Sequence, residues 1–282
     1  MRIATGDADG YLTLCAADYD KEEWTKIKEE KQHDKGITSL CEIGGNRLVS
    51  SSGDSTLKVW NINNDTLTHI KTLQGHNIWV NQVITLTKDT IASTGLLDKT
   101  IRIWDINEYK EIQTLEEGFN VWSLLKLKNK DEMIASGNEW SMSFWNTITF
   151  KKEHIVECCD CTSLNGLIEL PNHCVVVSGG LSSTIDVINT EIYQLIKQIT
   201  CEGYIVSGGD GYSSLRVLSN GTFVYSRKGC FCQISSTTYE VLFKDKKEKE
   251  FKGETITSSS NGKYIIANNN NNGISIFKVN FI

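Results

Sequence analysis

Two sets of four side chains in the first half of the sequence carry the residue types of a nucleophilic hydrolase. The first set is His33, Ser50, Asp54 and Trp60. The second set is His76, Thr94, Asp98 and Trp104. A hydroxyl, an imidazole and a carboxylate within hydrogen-bond reach can act as nucleophile, general base and orienting group. The same groups can also form a closed chain with a buried indole, because its N–H requires an acceptor.

Repetition favours the structural interpretation over catalysis. Trp60 and Trp104 lie 44 positions apart in the chain, whereas an enzyme needs its catalytic triad once. A fully satisfied polar network makes a protein core more rigid. We therefore expect the Trp104 indole to donate to the Thr94 hydroxyl, with His76 between that hydroxyl and Asp98. No residue is predicted to be catalytic.

The cysteines raise the possibility of a metal site. The run Cys158-Cys159-Asp160-Cys161 lies near His154, and Cys230 and Cys232 alternate along a predicted strand. Neither spacing is the paired C-x₂₋₄-C pattern of structural zinc, and a free cysteine commonly packs as a small hydrophobic residue. We expect core or loop positions for these thiols, and no metal or other cofactor.

The two sets belong to two copies of one strand–turn–strand pattern. One copy runs from Leu48 to Asn61 and the other from Ile91 to Asp105. Each is an apolar β-branched run, a turn that reaches an Asp, and an alternating run that ends at a Trp, which predicts two strands joined by a turn. A repeat of this length with four such strands resembles one blade of a WD-repeat β-propeller.

The resemblance to the WD-repeat family implies an all-β, seven-bladed β-propeller that forms a single domain over residues 1–282. The approximate blades are 1–33, 34–74, 75–117, 118–159, 160–201, 212–252 and 253–282. The first of these units lacks its innermost strand and the last lacks its outermost strand. We therefore expect the N-terminal segment that closes the ring in this family to be short or missing.

Composition restricts the location and the partners. The net charge of −6 argues against a protein that binds the phosphate backbone of nucleic acids, which would be basic. The N-terminus has no apolar segment of the secretory type, and no apolar run has the length of a membrane helix. We expect a cytoplasmic protein, with the nucleus as the alternative, reduced cysteines, and neither nucleic acid nor membrane as a partner. The oligomeric state stays open.

Tryptophan placement suggests where a partner binds. Trp79 and Trp122 precede predicted innermost strands, and Trp140 lies in a turn between the second and third strands of its unit. In the family these places open on the same end of the propeller. Exposed tryptophans are typical of binding hot spots. The predicted surface consists of these three residues with Asn81, Asn120 and Ser123 as its polar rim. The alternative is that each indole packs against a neighbouring blade.

The resemblance implies a non-enzymatic scaffold or adaptor that binds a protein or peptide on this face. One alternative is the substrate receptor of a ubiquitin ligase. Family members of that kind often carry Arg two residues after Trp-Asp, whereas Asn107 follows Trp104-Asp105 at that distance. A third possibility is a propeller enzyme with a metal or carboxylate site. The sequence shows no cluster of His and acidic residues that recurs at corresponding places in several units.

Overall fold

The computed structural model describes residues 2–18, 23–63, 65–158, 163–179, 184–200, 214–218, 221–227, 230–245, 256–258, 264–269 and 273–278. Within these ranges the chain forms 26 β-strands and no helix. Consequently, the described residues contain no helix that is long and apolar enough to cross a membrane. The predicted all-β class is confirmed.

The first three sheets are antiparallel and follow the chain in order. The first consists of β1 (Arg2–Gly6), β2 (Tyr11–Asp18) and β3 (Glu23–Lys31). The second consists of β4 (Ile37–Ile43), β5 (Arg47–Ser52), β6 (Thr56–Asn63) and β7 (Thr66–Gln74). The third consists of β8 (Val80–Thr85), β9 (Thr90–Gly95), β10 (Thr100–Asp105) and β11 (Lys110–Glu116).

The later strands form four more sheets with the same sequential order. The fourth has β12 (Ser123–Lys126), β13 (Met133–Gly137), β14 (Ser141–Asn146) and β15 (Lys152–Glu157). The fifth has β16 (Leu164–Leu170), β17 (Cys174–Gly179), β18 (Thr184–Asn189) and β19 (Gln194–Thr200). The sixth has β20 (Ser214–Val217), β21 (Thr222–Arg227), β22 (Cys230–Ser235) and β23 (Val241–Asp245). The seventh has β24 (Ile256–Ser258), β25 (Tyr264–Asn269) and β26 (Gly273–Lys278).

The chain divides into two compact units, and the division runs through the fourth sheet. The first unit contains residues 1–126, 131–136 and 145–151, and the second contains 127–130, 137–144 and 152–282. Repeated four-stranded antiparallel sheets are the elements from which a WD-repeat β-propeller is built. The number of blades, their boundaries and the shortened closing segment stay predictions.

The hydrophobic core of each unit lies between neighbouring sheets. In the first unit, one cluster joins Val49, Val59 and Leu73 of the second sheet to Val83 and Ile91 of the third. In the second unit, a cluster of the same kind joins the fifth and sixth sheets; it includes Val176, Val187, Phe223 and Ile234. The second strand of each of the second, third and fifth sheets is buried along nearly its whole length. Both faces of these strands are covered, so they read as continuous apolar and small residues.

Bulges in the innermost strands link sheets within the first unit. In β4 the register skips Thr38, and in β8 it skips Asn81. A bulge redirects the side chain of the extra residue. The Thr38 hydroxyl donates to the carbonyl of Val80 at 2.6 Å, and the Asn81 amide donates to the carbonyl of Trp122. These bonds attach β4 to the first residue of β8 and β8 to the residue that precedes β12.

Candidate functional site

The first set of polar side chains forms one hydrogen-bonded chain in the second sheet. The Trp60 indole N–H donates to Ser50 Oγ at 2.9 Å. Ser50 Oγ lies 2.8 Å from His33 Nε2, and His33 Nδ1 lies 2.8 Å from Asp54 Oδ2. A neutral imidazole protonated on Nδ1 lets every donor in this chain meet an acceptor. All four predicted members of this set therefore lie together.

The second set forms the same chain in the third sheet, with one correction. The Trp104 indole N–H donates to Ser93 Oγ at 2.8 Å, not to Thr94. Ser93 Oγ lies 2.7 Å from His76 Nε2, and His76 Nδ1 lies 2.7 Å from Asp98 Oδ2. Thr94 Oγ1 instead accepts the backbone N–H of Gln82 at 3.2 Å. The prediction that Thr94 supplies the hydroxyl is therefore wrong.

The error has a structural cause in the turn that separates the two strands. Trp60 pairs with Leu48 in the second sheet, and Trp104 pairs with Ile91 in the third. In sequence, Ile91 follows Leu48 by 43 positions, whereas Trp104 follows Trp60 by 44. The third-sheet turn is thus one residue longer, and a slip of one residue moves a strand side chain to the opposite face. The extra residue lets Asp98 fold back on Gly95, where a Cβ atom would lie 1.8 Å from Asp98 Oδ1.

The two aspartates hold the turns as well as the histidines. Asp98 Oδ1 accepts the backbone N–H of Thr100 at 3.1 Å and its hydroxyl at 2.8 Å. Burial raises the pKa of Asp98, but the hydrogen bonds from His76 and Thr100 outweigh it and hold the pKa below its ordinary value. The pKa of Asp54 is lowered by the same balance of burial against bonds from Thr56 and His33. The carboxylates are therefore ionised acceptors at neutral pH.

Burial determines what these sets can do chemically. Ser50 and Ser93 are 0% exposed, and each hydroxyl is already engaged by an indole and an imidazole. Burial also lowers the pKa of His33, against the opposing effect of the Asp54 hydrogen bond. A nucleophile needs space for a substrate carbonyl next to its oxygen, and these two hydroxyls have none. The sets therefore have a structural role, and we call each hydrogen-bonded set of Trp, Ser, His and Asp a lock.

The fourth sheet uses a residue that the sequence interpretation missed. Glu117 is 3% exposed, and its Oε2 accepts the Trp145 indole N–H at 2.8 Å and the Ser136 hydroxyl at 3.3 Å. This unit keeps the Trp but has Phe119 where a His was expected. The buried Trp145 indole is retained although its usual hydrogen-bond partners are missing, so another acceptor must be present. The acidic pair that follows the buried Leu115 could have been identified as the source of that acceptor.

Four of the five cysteines whose side chains the structure describes are buried, and Cys41 is partly buried. Cys158, Cys174 and Cys232 are buried, while Cys159, Asp160 and Cys161 lie outside the described residues. Among the residues that the structure describes, no group of three His, Cys, Asp or Glu side chains is arranged to hold a metal ion. The expected absence of a metal stays a prediction.

An exposed apolar surface lies at the loop end of the third sheet. Trp79 is 44% exposed, and its ring lies 3.5 Å from the position that a Cβ atom would take on Gly53 in the turn of the second sheet. The Trp79 carbonyl accepts the Leu96 N–H at 3.0 Å. Leu97, the next residue of that turn, is 55% exposed. Ile78, Trp79 and Leu97, which we call the Trp79 surface, thus occupy two loops that are bonded to each other.

Sequence reasoning had named Trp79 but not its apolar neighbours. Ile78 and Leu97 are exposed, and so is Phe119 in the connection between β11 and β12. The signal for Leu97 was available, because Leu96-Leu97 stands in a turn where polar residues are usual. An isolated exposed aliphatic residue needs no explanation. Two exposed aliphatic residues beside an exposed indole form a patch that does.

The other predicted members of the binding surface have different surroundings. Trp122 is half-buried, and its indole N–H has no hydrogen-bond partner among the residues that the structure describes. Asn81 and Asn120 are half-buried as well, and the Asn81 amide is committed to the Trp122 carbonyl. Ser123, the first residue of β12, is only 2% exposed. The prediction that Ser123 belongs to a polar rim is therefore wrong.

Trp140 belongs to the second unit. It is 57% exposed and stands in the turn between β13 and β14. Asn138 Oδ1 holds this turn by accepting the backbone N–H groups of Trp140 and Ser141 at 3.1 and 2.8 Å. The Trp140 carbonyl accepts the Cys158 N–H at 2.9 Å. A single patch that combines Trp140 with Trp79 and Trp122 stays a prediction.

Together, the repeated antiparallel sheets and their Trp–Ser–His–Asp locks define a protein built from copies of one β-structural repeat. The family model described as "WD domain, G-beta repeat" matches residues 24–61 and 67–105. The first range contains the whole first set of polar side chains, and the second range contains the whole second set. The chain carries WD40 repeats, which confirms the resemblance to the WD-repeat family.

Several curated proteins are similar to part of the chain. The nuclear distribution protein PAC1 of Arthroderma otae is 33% identical over 112 residues, which is 34% of this chain and 24% of that protein. The small ribosomal subunit protein RACK1y of Oryza sativa subsp. japonica is 33% identical over 99 residues, 35% of this chain and 29% of its own length. The protein transport protein sec13 of Aspergillus oryzae is 32% identical over 109 residues, 35% and 37% of the two chains. The similarity therefore spans a quarter to little more than a third of these relatives.

Proposed function

We propose that this WD-repeat protein is a non-enzymatic scaffold or adaptor that binds a protein or peptide through the Trp79 surface. The relatives named above carry names from nuclear distribution, the ribosome and protein transport. What these relatives share with the chain is the repeat, not a common reaction. A common repeat with diverse biological settings supports a binding role over a conserved chemistry.

The observation that supports the proposal most strongly is that Trp79 is exposed while hydrogen bonds hold its loop in place. Its ring lies 3.5 Å from the position that a Cβ atom would take on Gly53, and its backbone is bonded to the turn that presents Leu97. The His76–Asp98 pair holds both loops, since Asp98 Oδ2 accepts the ring N–H of His76 and the backbone N–H of Asn77. A preorganised surface loses less conformational entropy when a partner binds. Rigid aromatic side chains supply much of the energy at such surfaces.

Two alternatives from the sequence remain weaker. For a ubiquitin-ligase receptor, the residue after Trp104-Asp105-Ile106 is Asn107, whose backbone N–H donates to Asp105 Oδ1 at 2.7 Å to form a local turn. Nothing about this turn favours that partner. For an enzyme, the two candidate triads are sealed in the core. A cytoplasmic location and the absence of nucleic-acid partners stay part of the proposal.

Site-specific photocrosslinking tests the proposal. A photoreactive phenylalanine analogue at Leu97 should form a specific adduct with a partner in cell lysate, because this side chain is exposed beside Trp79. The matched control places the analogue at Ile112, which is 43% exposed on β11 of the same unit. Adding Trp79→Ala to the Leu97 probe should remove the adduct. Identical adducts from both probes, or none from Leu97, would refute the proposed surface.

A further inference from the structure

Among the strands that the structure describes, the first sheet has no counterpart of the innermost strand of the second sheet. In the second sheet, Leu48 of β5 pairs with Trp60 of β6. In the first sheet, Ile3 of β1 pairs with Cys15 of β2, and Cys15 follows the aspartate of its turn by six residues, as Trp60 does. Hence β1 corresponds to β5, the second strand of its sheet, and the position that β4 fills beside β5 has no described strand beside β1.

Burial shows the same difference. The second strands β5, β9, β13 and β17 each pair with a strand on both sides and are buried along nearly their whole length. Within the described residues β1 pairs only with β2, and its residues are half-buried apart from the exposed Arg2. Val49 and Ser50, which correspond to Ala4 and Thr5, are both 0% exposed. One edge of β1 is therefore open where its counterparts are covered.

The open edge of β1 presents the backbone groups of Ala4 and Gly6. The N–H of Asp7, directly after β1, donates to the Tyr11 carbonyl of β2 at 3.1 Å. The backbone groups of successive residues in a strand face opposite edges, so those of Ala4 and Gly6 face away from β2. Unpaired N–H and C=O groups at the edge of a sheet can pair with a further strand.

Contacts with the second sheet hold this edge in place. The Ile37 N–H donates to the Asp7 carbonyl at 2.8 Å. The Ile37 side chain fills the space that a Cβ atom would take on Gly6. Ala4 packs against the core cluster that contains Leu48. A strand that is fixed before binding loses less conformational entropy when another strand pairs with it.

The innermost strands of the second, third and fifth sheets show which side chains suit this position. Opposite the residues that correspond to positions 5 to 2 of β1, each carries an aliphatic, an apolar, a polar and an aliphatic residue in that order. The three runs are Leu40-Cys41-Glu42-Ile43, Val83-Ile84-Thr85-Leu86 and Leu167-Ile168-Glu169-Leu170. The sixth sheet departs from the pattern with Leu215-Arg216-Val217-Leu218. Three repeats thus define the segment that fits beside a second strand.

We propose that an extended segment of a partner protein adds to β1 as a fourth, antiparallel strand and carries an aliphatic–apolar–polar–aliphatic run. In such strand addition, main-chain hydrogen bonds supply affinity and alternate side chains supply specificity. The innermost strands that the structure describes each pair within their own sheet, so none of them occupies this edge. The site lies on the first sheet and is separate from the Trp79 surface, so it does not depend on the proposed function.

Four fluorescent peptides of equal length provide the test. The first contains Leu-Ile-Glu-Leu, the run at positions 167–170. The second and third carry a single N-methyl group, on the Ile or on the Glu of this run. In the predicted register the Ile lies opposite Ala4, so its N–H faces β1 and the Glu N–H faces away. The fourth peptide has the same composition with the Glu moved to the first place of the run.

Fluorescence anisotropy with the full chain measures the affinities. Methylation of the Ile nitrogen should weaken binding by about tenfold or more, because it removes a hydrogen bond to the Ala4 carbonyl. Methylation of the Glu nitrogen is the matched control and should leave the affinity nearly unchanged. The rearranged peptide should bind more weakly than the first. Equal effects of the two methyl groups, equal binding of the rearranged peptide, or no binding of the first would each overturn the proposal.

A variant assigns the binding to β1. Proline is tolerated on an edge strand whose N–H is not paired within the sheet, so Ala4→Pro should fold and should bind the first peptide about tenfold more weakly. The control Trp79→Ala should bind this peptide as the wild type does. Wild-type affinity in a folded Ala4→Pro would show that the peptide binds elsewhere and would overturn the proposal.

Hydrogen exchange of the wild type gives a reading that does not depend on any variant. The Ala4 and Gly6 amides should exchange rapidly in the free chain and slowly with the first peptide, whereas the Ile3 and Thr5 amides, which face β2, should be protected in both states. Slow exchange of Ala4 and Gly6 without peptide would mean that the edge is already occupied, by a second copy if the chain is a dimer in solution. That result would contradict the proposed strand addition.

Discussion

Among single residues, Ser93 makes the contacts that hold the third-sheet lock together. It receives the Trp104 indole N–H and engages His76 Nε2, so one hydroxyl serves two groups that are otherwise buried without partners. Thr94, its neighbour, has the same burial but another task, which is to accept the N–H of Gln82. The two side chains differ in function because adjacent residues of a strand face opposite sides.

Replacing Ser93 should therefore have an effect that replacing Thr94 does not. Ser93→Ala leaves the Trp104 N–H unsatisfied and should cost about 1–3 kcal/mol of unfolding free energy. It should also shift the Trp104 indole N–H resonance and accelerate its hydrogen exchange. In the control Thr94→Val, the indole signal should stay in place even if stability falls. A displaced indole signal in Thr94→Val with an unchanged one in Ser93→Ala would contradict this assignment.

The sequence was sufficient for seven of the eight lock residues, and the eighth shows why it failed. Residue types and their repetition identified His33, Ser50, Asp54, Trp60, His76, Asp98 and Trp104, which the structure brings into two hydrogen-bonded chains. The choice between Ser93 and Thr94 required the strand register. The sequence alone did not reveal that register, because the turn between β9 and β10 is one residue longer than its counterpart in the second sheet. Glu117 was missed because it replaces an imidazole with a carboxylate from another position.

Among the elements, the outer strands share a bulge that the alternation pattern did not predict. Among the strand pairings that the structure describes, the register against the third strand skips one residue in five sheets. The skipped residues are Ile27, Ile70, Ile112, Ile196 and Leu242. A bulge twists an edge strand away from regular pairing, which hinders edge-to-edge association of sheets. Such a local irregularity depends on pairing, so period-two reasoning alone cannot find it.

The turns that lead into these outer strands share a pattern of residues that can be recognised in the sequence. Asp105, Asn146, Asn189 and Ser235 each accept the backbone N–H groups two and three residues later. Four residues after each stands an aromatic residue with positive φ: Tyr109, Phe150, Tyr193 and Tyr239. This backbone conformation costs an L-residue about 1 kcal/mol. For Tyr109, Phe150 and Tyr239, packing against a hydrophobic core cluster offsets the cost.

The loops at the Trp79 surface should loosen in acid. The pKa of Asp98 is lowered in the folded protein, so this carboxylate contributes stability that is complete above its unfolded pKa, near 3.8. The contribution disappears as pH falls through the lower, folded value. We expect the stability difference between the wild type and Asp98→Asn to be constant above about pH 5 and to shrink below it.

Urea unfolding across this pH range measures the difference. Asp131→Asn, which removes an 86% exposed carboxylate from the same unit, is the control for the general effect of charge. A difference between wild type and Asp98→Asn that grows as pH falls would have the wrong sign for a lowered pKa. It would show that Asp98 does not hold these loops as an ionised acceptor.

For the whole molecule, composition and repeats predicted the all-β class, and the described strands bear it out. Repetition could not predict the Trp79 surface, because exposure of Trp79 and Leu97 depends on tertiary contacts that differ between copies. In the third sheet, the longer turn both displaces the serine and presents Leu97. The same extra residue therefore explains one failed prediction and one missed feature.

The central claim is that buried locks fix the loops while the Trp79 surface binds. Partner capture and thermal unfolding, measured together for Trp79→Ala and Ser93→Ala, test it most directly. We expect Trp79→Ala to lose about 2 kcal/mol or more of binding free energy with little change in unfolding temperature, and Ser93→Ala to lower the unfolding temperature by several degrees (~4 °C or less per kcal/mol at this size). If Trp79→Ala instead costs about 3–5 kcal/mol of stability and capture by the folded fraction persists, Trp79 is a core residue and the claim is contradicted.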